Sequence, residues 1–173
     1  MLSKPNFSKP ERSYPNTVMI LLSTIALFAL SLLGWVMMDV PFRGGIDSRV
    51  FTLYGEMLGL YGFTLGITVW NLGVSWYMVI ELVVPFLSFI LFVSLILLII
   101  SLVKRQSDKK STFAYWGFAL SALVPAVFII LMLGVSFSVG GGIVRITIAP
   151  ILSLIISIVA MKFFVKAPKP GKH

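Results

Sequence analysis

The chain has 173 residues, of which 58% are hydrophobic and only 12% charged, with a mean hydropathy of +1.03. Soluble domains carry about a quarter of their residues as charged side chains, so composition excludes an ordinary water-soluble globule and implies an integral membrane protein. The net charge is +8 and cysteine is absent; the basic residues flank apolar runs, which suits a membrane surface rather than nucleic acid, and disulfides, thiolate metal sites and thiol catalysis are excluded.

Residues 1–16 read as a cytoplasmic basic tail, with Lys4, Lys9, Arg12 and three prolines. The membrane domain then covers 17–166, and a second basic tail covers 167–173. The first apolar run, about 18–38, has the roughly 20-residue length a helix needs to cross hydrocarbon. A signal peptide is the competing reading. Its apolar core would be about 7–15 residues long and end at a small-residue cleavage site, whereas this run is longer and ends in Trp35-Val36-Met37-Met38-Asp39. It is therefore expected to be a retained helix.

Residues 39–81 form an outer segment in which two periodicities compete. Tyr61, Phe63, Leu65, Ile67 and Val69 alternate with Gly62, Thr64, Gly66, Thr68 and Trp70, the period of a half-buried strand. Arg49 to Tyr54 would be its partner, with Gly55 to Gly59 as the connection. Gly55, Gly59, Gly62, Gly66 and Gly73 also fall near helical spacing, as on the small-residue face of a membrane helix. Each would weaken a helix in water by about 1 kcal/mol. A hairpin or small sheet is the preferred expectation, and an interfacial or re-entrant helix the alternative. Tyr61, Phe63, Trp70, Trp76 and Tyr77 make the segment a candidate contact surface for lipid or a partner, because amphipathic rings settle at headgroup level.

The second span is expected at about 82–103, with Pro85 in its first turn, where the missing N–H has no helical partner. The sharply basic 104–110 loop follows. The third span, about 113–135, opens on Tyr115 and Trp116, as an interfacial belt does, and carries Pro125 in its middle, where a kink is expected. Gly140-Gly141-Gly142 is a tight connection to the fourth span, about 146–164. Ser23, Ala26, Ala29, Ser31 and Gly34 in the first span, and Ser153, Ser157 and Ala160 in the fourth, form small-residue faces suited to helix packing.

Charge placement decides the topology. With four spans, one side holds Lys4, Lys9, Arg12, Lys104, Arg105, Lys109, Lys110, Lys162, Lys166, Lys169 and Lys172. The other side holds Arg43, Arg49 and Arg145, a ratio of eleven to three. A fifth span within 49–80 would move eight of the eleven to the outside, against the positive-inside tendency. The expected architecture is an all-α membrane protein, a four-transmembrane-helix bundle with a β-hairpin-like or interfacial first outer segment and both termini cytoplasmic.

This layout, with a large outer segment first and a short one second, resembles the claudin and peripheral-myelin-protein superfamily. Gly59-Leu60-Tyr61 is similar to the Gly-Leu-Trp element of that superfamily's first outer segment, with Tyr61 at the Trp position. The two cysteines that follow in the family pattern are absent here, as is a tryptophan within that segment upstream of Gly59.

Chemistry-bearing motifs are scarce. There is no phosphate loop, metal-ligand cluster or nucleophilic triad; the single histidine is His173, which leaves no bis-histidine haem site. No cofactor is expected. Ionisable groups inside the spans, which mark proton or ion pathways, are essentially missing. Asp39, Glu81 and Arg145 stand at the outer helix ends and form a candidate ion cluster, since the planar guanidinium suits carboxylates. The function expected is non-enzymatic, by lateral association as an accessory subunit or scaffold, with the lipid bilayer and other membrane subunits or further copies as partners. The alternatives are a pathway-lining subunit of an oligomeric transporter or channel, and a cofactor-free subunit of a membrane redox enzyme.

Overall fold

The first apolar helix stops at Leu32 and the chain turns into a strand within four residues. In the computed structural model, which describes residues 17–42, 45–53, 77–103, 108–139 and 143–165, the elements run α1 (Thr17–Leu32), β1 (Val36–Phe42), β2 (Gly45–Phe51), α2 (Tyr77–Val103), α3 (Asp108–Val139), β3 (Val144–Ile146) and α4 (Ile148–Phe163). The described part is thus mostly helical, with one small sheet. Among the described residues, Leu82–Val103 and Thr112–Val139 are long and apolar enough to cross a membrane, while α1 and α4 are shorter apolar helices.

The stop after α1 has a local cause. A helix leaves its last carbonyls without partners, and here they are taken by groups just beyond it. The Trp35 indole N–H donates to the Leu30 carbonyl at 3.0 Å, and the Ser31 hydroxyl donates to the Phe28 carbonyl at 2.6 Å. Gly34 is a poor helix residue and lies against Val50: a Cβ there would sit 2.2 Å from Val50 Cγ1. The Trp35 backbone then enters the sheet, donating to Phe51 O at 2.8 Å and accepting from Thr147 N at 3.1 Å. The expected span of 18–38 therefore divides: residues from Val36 onward are strand, because Val36 and Val40 are β-branched and partners lie on both sides.

The sheet is antiparallel, in the order β2-β1-β3. Val36 stands opposite Phe51 and Ile146, and Met38 opposite Arg49 and Val144. These positions share one face, on which Val36, Met38, Phe51 and Val144 are buried. Asp39, Ser48 and Arg145 lie on the other face. Pro41, which cannot donate to a ladder, falls beyond the stretch of β1 that pairs with β3.

Other expectations shift as well. The partner of β2 is β1, whereas 61–70 was the expected partner of residues 49–54; 61–70 lies outside the described residues, as does the triple glycine. Helix α2 starts at Tyr77, five residues early, so Pro85 lies inside it rather than in its first turn. Helix α3 runs from Asp108 to Val139, well past the expected 113–135. Ile146 belongs to β3, and Thr147 caps α4, accepting from Ala149 N at 3.4 Å.

The helices form a ring in which α1 packs on α2 and α4, and α3 on α2 and α4. One core lies at the sheet end, with Trp35, Val36, Met38, Phe51, Leu87, Phe128 and Met132 among its members. The second core lies at the other end and gathers Ile20 and Leu27 from α1, Leu98 from α2, Ala114 and Phe118 from α3, Ala160 from α4 and Val165 just after it. The N-terminal ends of α1 and α3 and the C-terminal ends of α2 and α4 therefore meet there.

Candidate functional site

Two features stand out: the polar face of the sheet and the outward faces of the helices. On the sheet, Asp39 in β1 accepts at Oδ2 from an Arg145 guanidinium nitrogen in β3, forming a salt bridge, and at Oδ1 from the Ser48 hydroxyl in β2 at 2.6 Å. The Asp39 side chain is 14% exposed and that of Arg145 is 63% exposed. Of the expected ion cluster, then, Asp39 and Arg145 meet across the β1–β3 ladder. Glu81 lies in the second turn of α2, and its side chain is outside the described part. Ser48 was not foreseen; its pairing with Asp39 depends on a strand register that residue spacing alone does not reveal. The arrangement ties all three strands together and has the chemistry of a structural clamp, with an acceptor already filled by two donors.

The expected contact segment falls mostly elsewhere: Tyr61, Phe63, Trp70 and Trp76 lie outside the described residues, and Tyr77 is the first residue of α2. Among the described residues there is no group of three or more His, Asp or Glu that could hold a metal ion.

The helices carry large apolar residues on both their packed and their outward faces, and place hydroxyls in the packed interior. Small hydroxyl residues are buried: Ser23, Thr24 and Ser31 in α1, Ser88, Ser94 and Ser101 in α2, Ser121 in α3, and Ser153 and Ser157 in α4. Most satisfy themselves on a carbonyl of the preceding turn, as Ser157 does on Ser153 O at 2.7 Å. Two hydrogen bonds from these hydroxyls bridge elements. The Ser94 and Ser121 hydroxyls meet at 2.9 Å between α2 and α3, and Ser88 reaches Leu53 O, just past β2, at 2.7 Å. Gly117 lets α2 and α3 approach closely, since a Cβ there would come 2.8 Å from Leu98. Meanwhile Ile25 and Phe28 of α1, Phe86 and Phe89 of α2, Ile130 and Phe137 of α3, and Ile155 and Phe163 of α4 are exposed. The small-residue faces foreseen on α1 and α4 are buried at Ser23, Ser31, Ser153, Ser157 and Ala160, whereas Ala29 faces outward. The serines of α2 and α3 were missed, because a serine within a continuous apolar run carries no sign of which face it will take. Comparison with protein families, with curated proteins and with solved structures finds no match to this chain.

Proposed function

We propose that the chain crosses a membrane four times, with both ends on the more basic side. In this reading it acts through lateral association, as a non-enzymatic accessory subunit or scaffold of a membrane complex. The observation that carries the reading is the set of large apolar residues exposed on all four helices, around an interior that also holds their buried hydroxyls. Soluble monomers rarely expose contiguous apolar patches larger than a few hundred Å²; here every helix turns large apolar residues outward and buries one or more hydroxyls in the packed interior. In lipid that arrangement is favourable, since small residues let helices approach and their hydroxyls bond internally.

The up-and-down helix order supports the four crossings. The segments that lead into α1, join α2 to α3 and leave α4 all attach at the end away from the sheet, and eleven of the fourteen Lys and Arg belong to those segments or to the adjoining helix ends. The sheet, with its polar face, takes the opposite side. The Gly59-Leu60-Tyr61 triplet of the claudin-like resemblance lies outside the described residues.

A cysteine-free chain makes the topology directly testable. Ser75→Cys and Ser107→Cys variants in sealed vesicles are expected to react with an impermeant maleimide from opposite sides, and reaction from the same side overturns the four-span arrangement. For association, purification in mild detergent is expected to retain a second membrane protein or further copies of the chain. A monomer at every concentration overturns the scaffold role, and a homo-oligomer that conducts ions in bilayers replaces it with a pathway-lining one.

A further inference from the structure

We propose that the α1–α4 flank seats a thinned bilayer, so that the protein stands in the membrane with a short apolar belt on one flank and a long one on the other. The inference rests on the four-span reading.

Helices α1 and α4 have 16 residues each, about 24 Å at 1.5 Å per residue, against a hydrocarbon thickness of about 30 Å. The apolar stretches of α2 and α3 have 22 and 28 residues, about 33 and 42 Å. Since α1 and α4 pack together, as do α2 and α3, the short pair forms one flank of the ring and the long pair the other. The short belt is closed at both ends. Arg145 and Thr147 precede α4 and the exposed Lys162 stands at its end, while Arg12-Ser13-Tyr14-Pro15-Asn16 precede α1 and the sheet follows it.

The difference in length collects at the sheet end, because all four helices meet in the core at the other end. Trp35 packs edge-on against Phe128 with ring centroids 5.3 Å apart, and Ser88 bonds Leu53 O, which sets a common level. Above it α2 continues about 9 Å to Leu82 and α3 about 13 Å to Phe137, and both residues are bare, at 76% and 86% exposure. On the sheet side, Arg145 stands opposite Met37, two residues beyond Trp35 and so at most about 7 Å higher. A guanidinium and a strand edge thus occupy a height at which the opposite flank is still hydrocarbon-facing. Open sheet edges are not tolerated in lipid hydrocarbon. The hydrocarbon must therefore end beneath the sheet on this flank, and adjusting bilayer thickness costs only fractions of a kcal/mol per Å.

The test places single spin-labelled cysteines at exposed positions of the full chain in dioleoylphosphatidylcholine vesicles: Ile148, Ile155 and Phe163 on α4, and Leu82, Phe86, Phe92 and Val103 on α2. Collision with oxygen and with a water-soluble nickel chelate reports depth. The expected result is headgroup-level depth at Ile148 and Phe163, with Ile155 deep; on α2, the headgroup-level sites are Leu82 and Val103, and Phe86 and Phe92 are deep. Unfolding temperature is expected to fall from dimyristoleoyl to dierucoyl lipid. Ile148 as deep as Phe86, whatever the depth of Phe163, would mean uniform thickness and overturn the inference. So would α4 sites shielded from both reagents beside deep α2 sites, which would mean that protein covers the short flank. Nickel access at every site would overturn the membrane reading itself.

Discussion

Gly34 and Trp35 show how two adjacent residues redirect the chain. A Cβ at position 34 would collide with Val50 Cγ1 at 2.2 Å, and overpacking of this kind costs about 1–3 kcal/mol. Val50 is half exposed and can give way, so Gly34→Ala is expected near the lower end, read as a lowered unfolding temperature in detergent. Adding Val50→Ala should recover most of the loss. A double variant no more stable than the single one would show that the contact is not the cause. Trp35 is fully buried, so Trp35→Ala is expected to cost about 3–5 kcal/mol. Trp35→Phe gives up the bond to Leu30 O and leaves that carbonyl without this donor, for a smaller loss of about 1 kcal/mol. Arg145→Ala removes a pair whose cationic side is largely exposed; such pairs contribute about 0–1 kcal/mol. A melting shift comparable to that of Trp35→Ala would therefore contradict a clamp that is open to solvent.

At the scale of elements, the joins are made by hydroxyls. Thr147 caps α4 and also donates to Gly34 O at 2.6 Å, so it ties the end of α1 to the start of α4. Thr147→Ala is expected to cost about 1 kcal/mol or somewhat more, because a cap alone is worth about 0.5–2 and a second carbonyl loses its donor. Between α2 and α3, the Ser94–Ser121 bond lies one turn before Pro125, whose ring denies the Ser121 carbonyl its usual helical donor. A double-alanine cycle across this pair should give a coupling of about 0.6 kcal/mol, the usual size inside membranes, and not more than about 1.7. Zero coupling would mean that the hydroxyls bond elsewhere. Neither role of Thr147 was read from the sequence: the expected span of 146–164 placed it inside the helix, and Gly34 is distant in sequence and arrives only through the sheet.

For the whole molecule, large apolar residues lie exposed on all four helices, as the proposed lipid surroundings require. A hydrophobic photoreactive probe in vesicles should label cysteines placed at Ile25, Phe89, Ile130 and Ile155 and spare those at Ser94 and Phe118. Equal labelling of both sets would contradict the packed ring. The sequence by itself established that the chain is apolar and placed two long apolar runs, 82–103 and 113–135, inside the helices α2 and α3, because hydrophobic content and charge position are local properties. Charge position also brought Asp39, Glu81 and Arg145 forward as a cluster, since charges at the margins of apolar runs are few, and of these Asp39 and Arg145 meet. Only the tertiary structure decided that Val36 to Phe42 is a strand, that its partners are 45–51 and 144–146, and that α1 and α4 are short. Hydropathy does not distinguish apolar helix from apolar strand; ladder partners do, and one of those lies more than a hundred residues away along the chain.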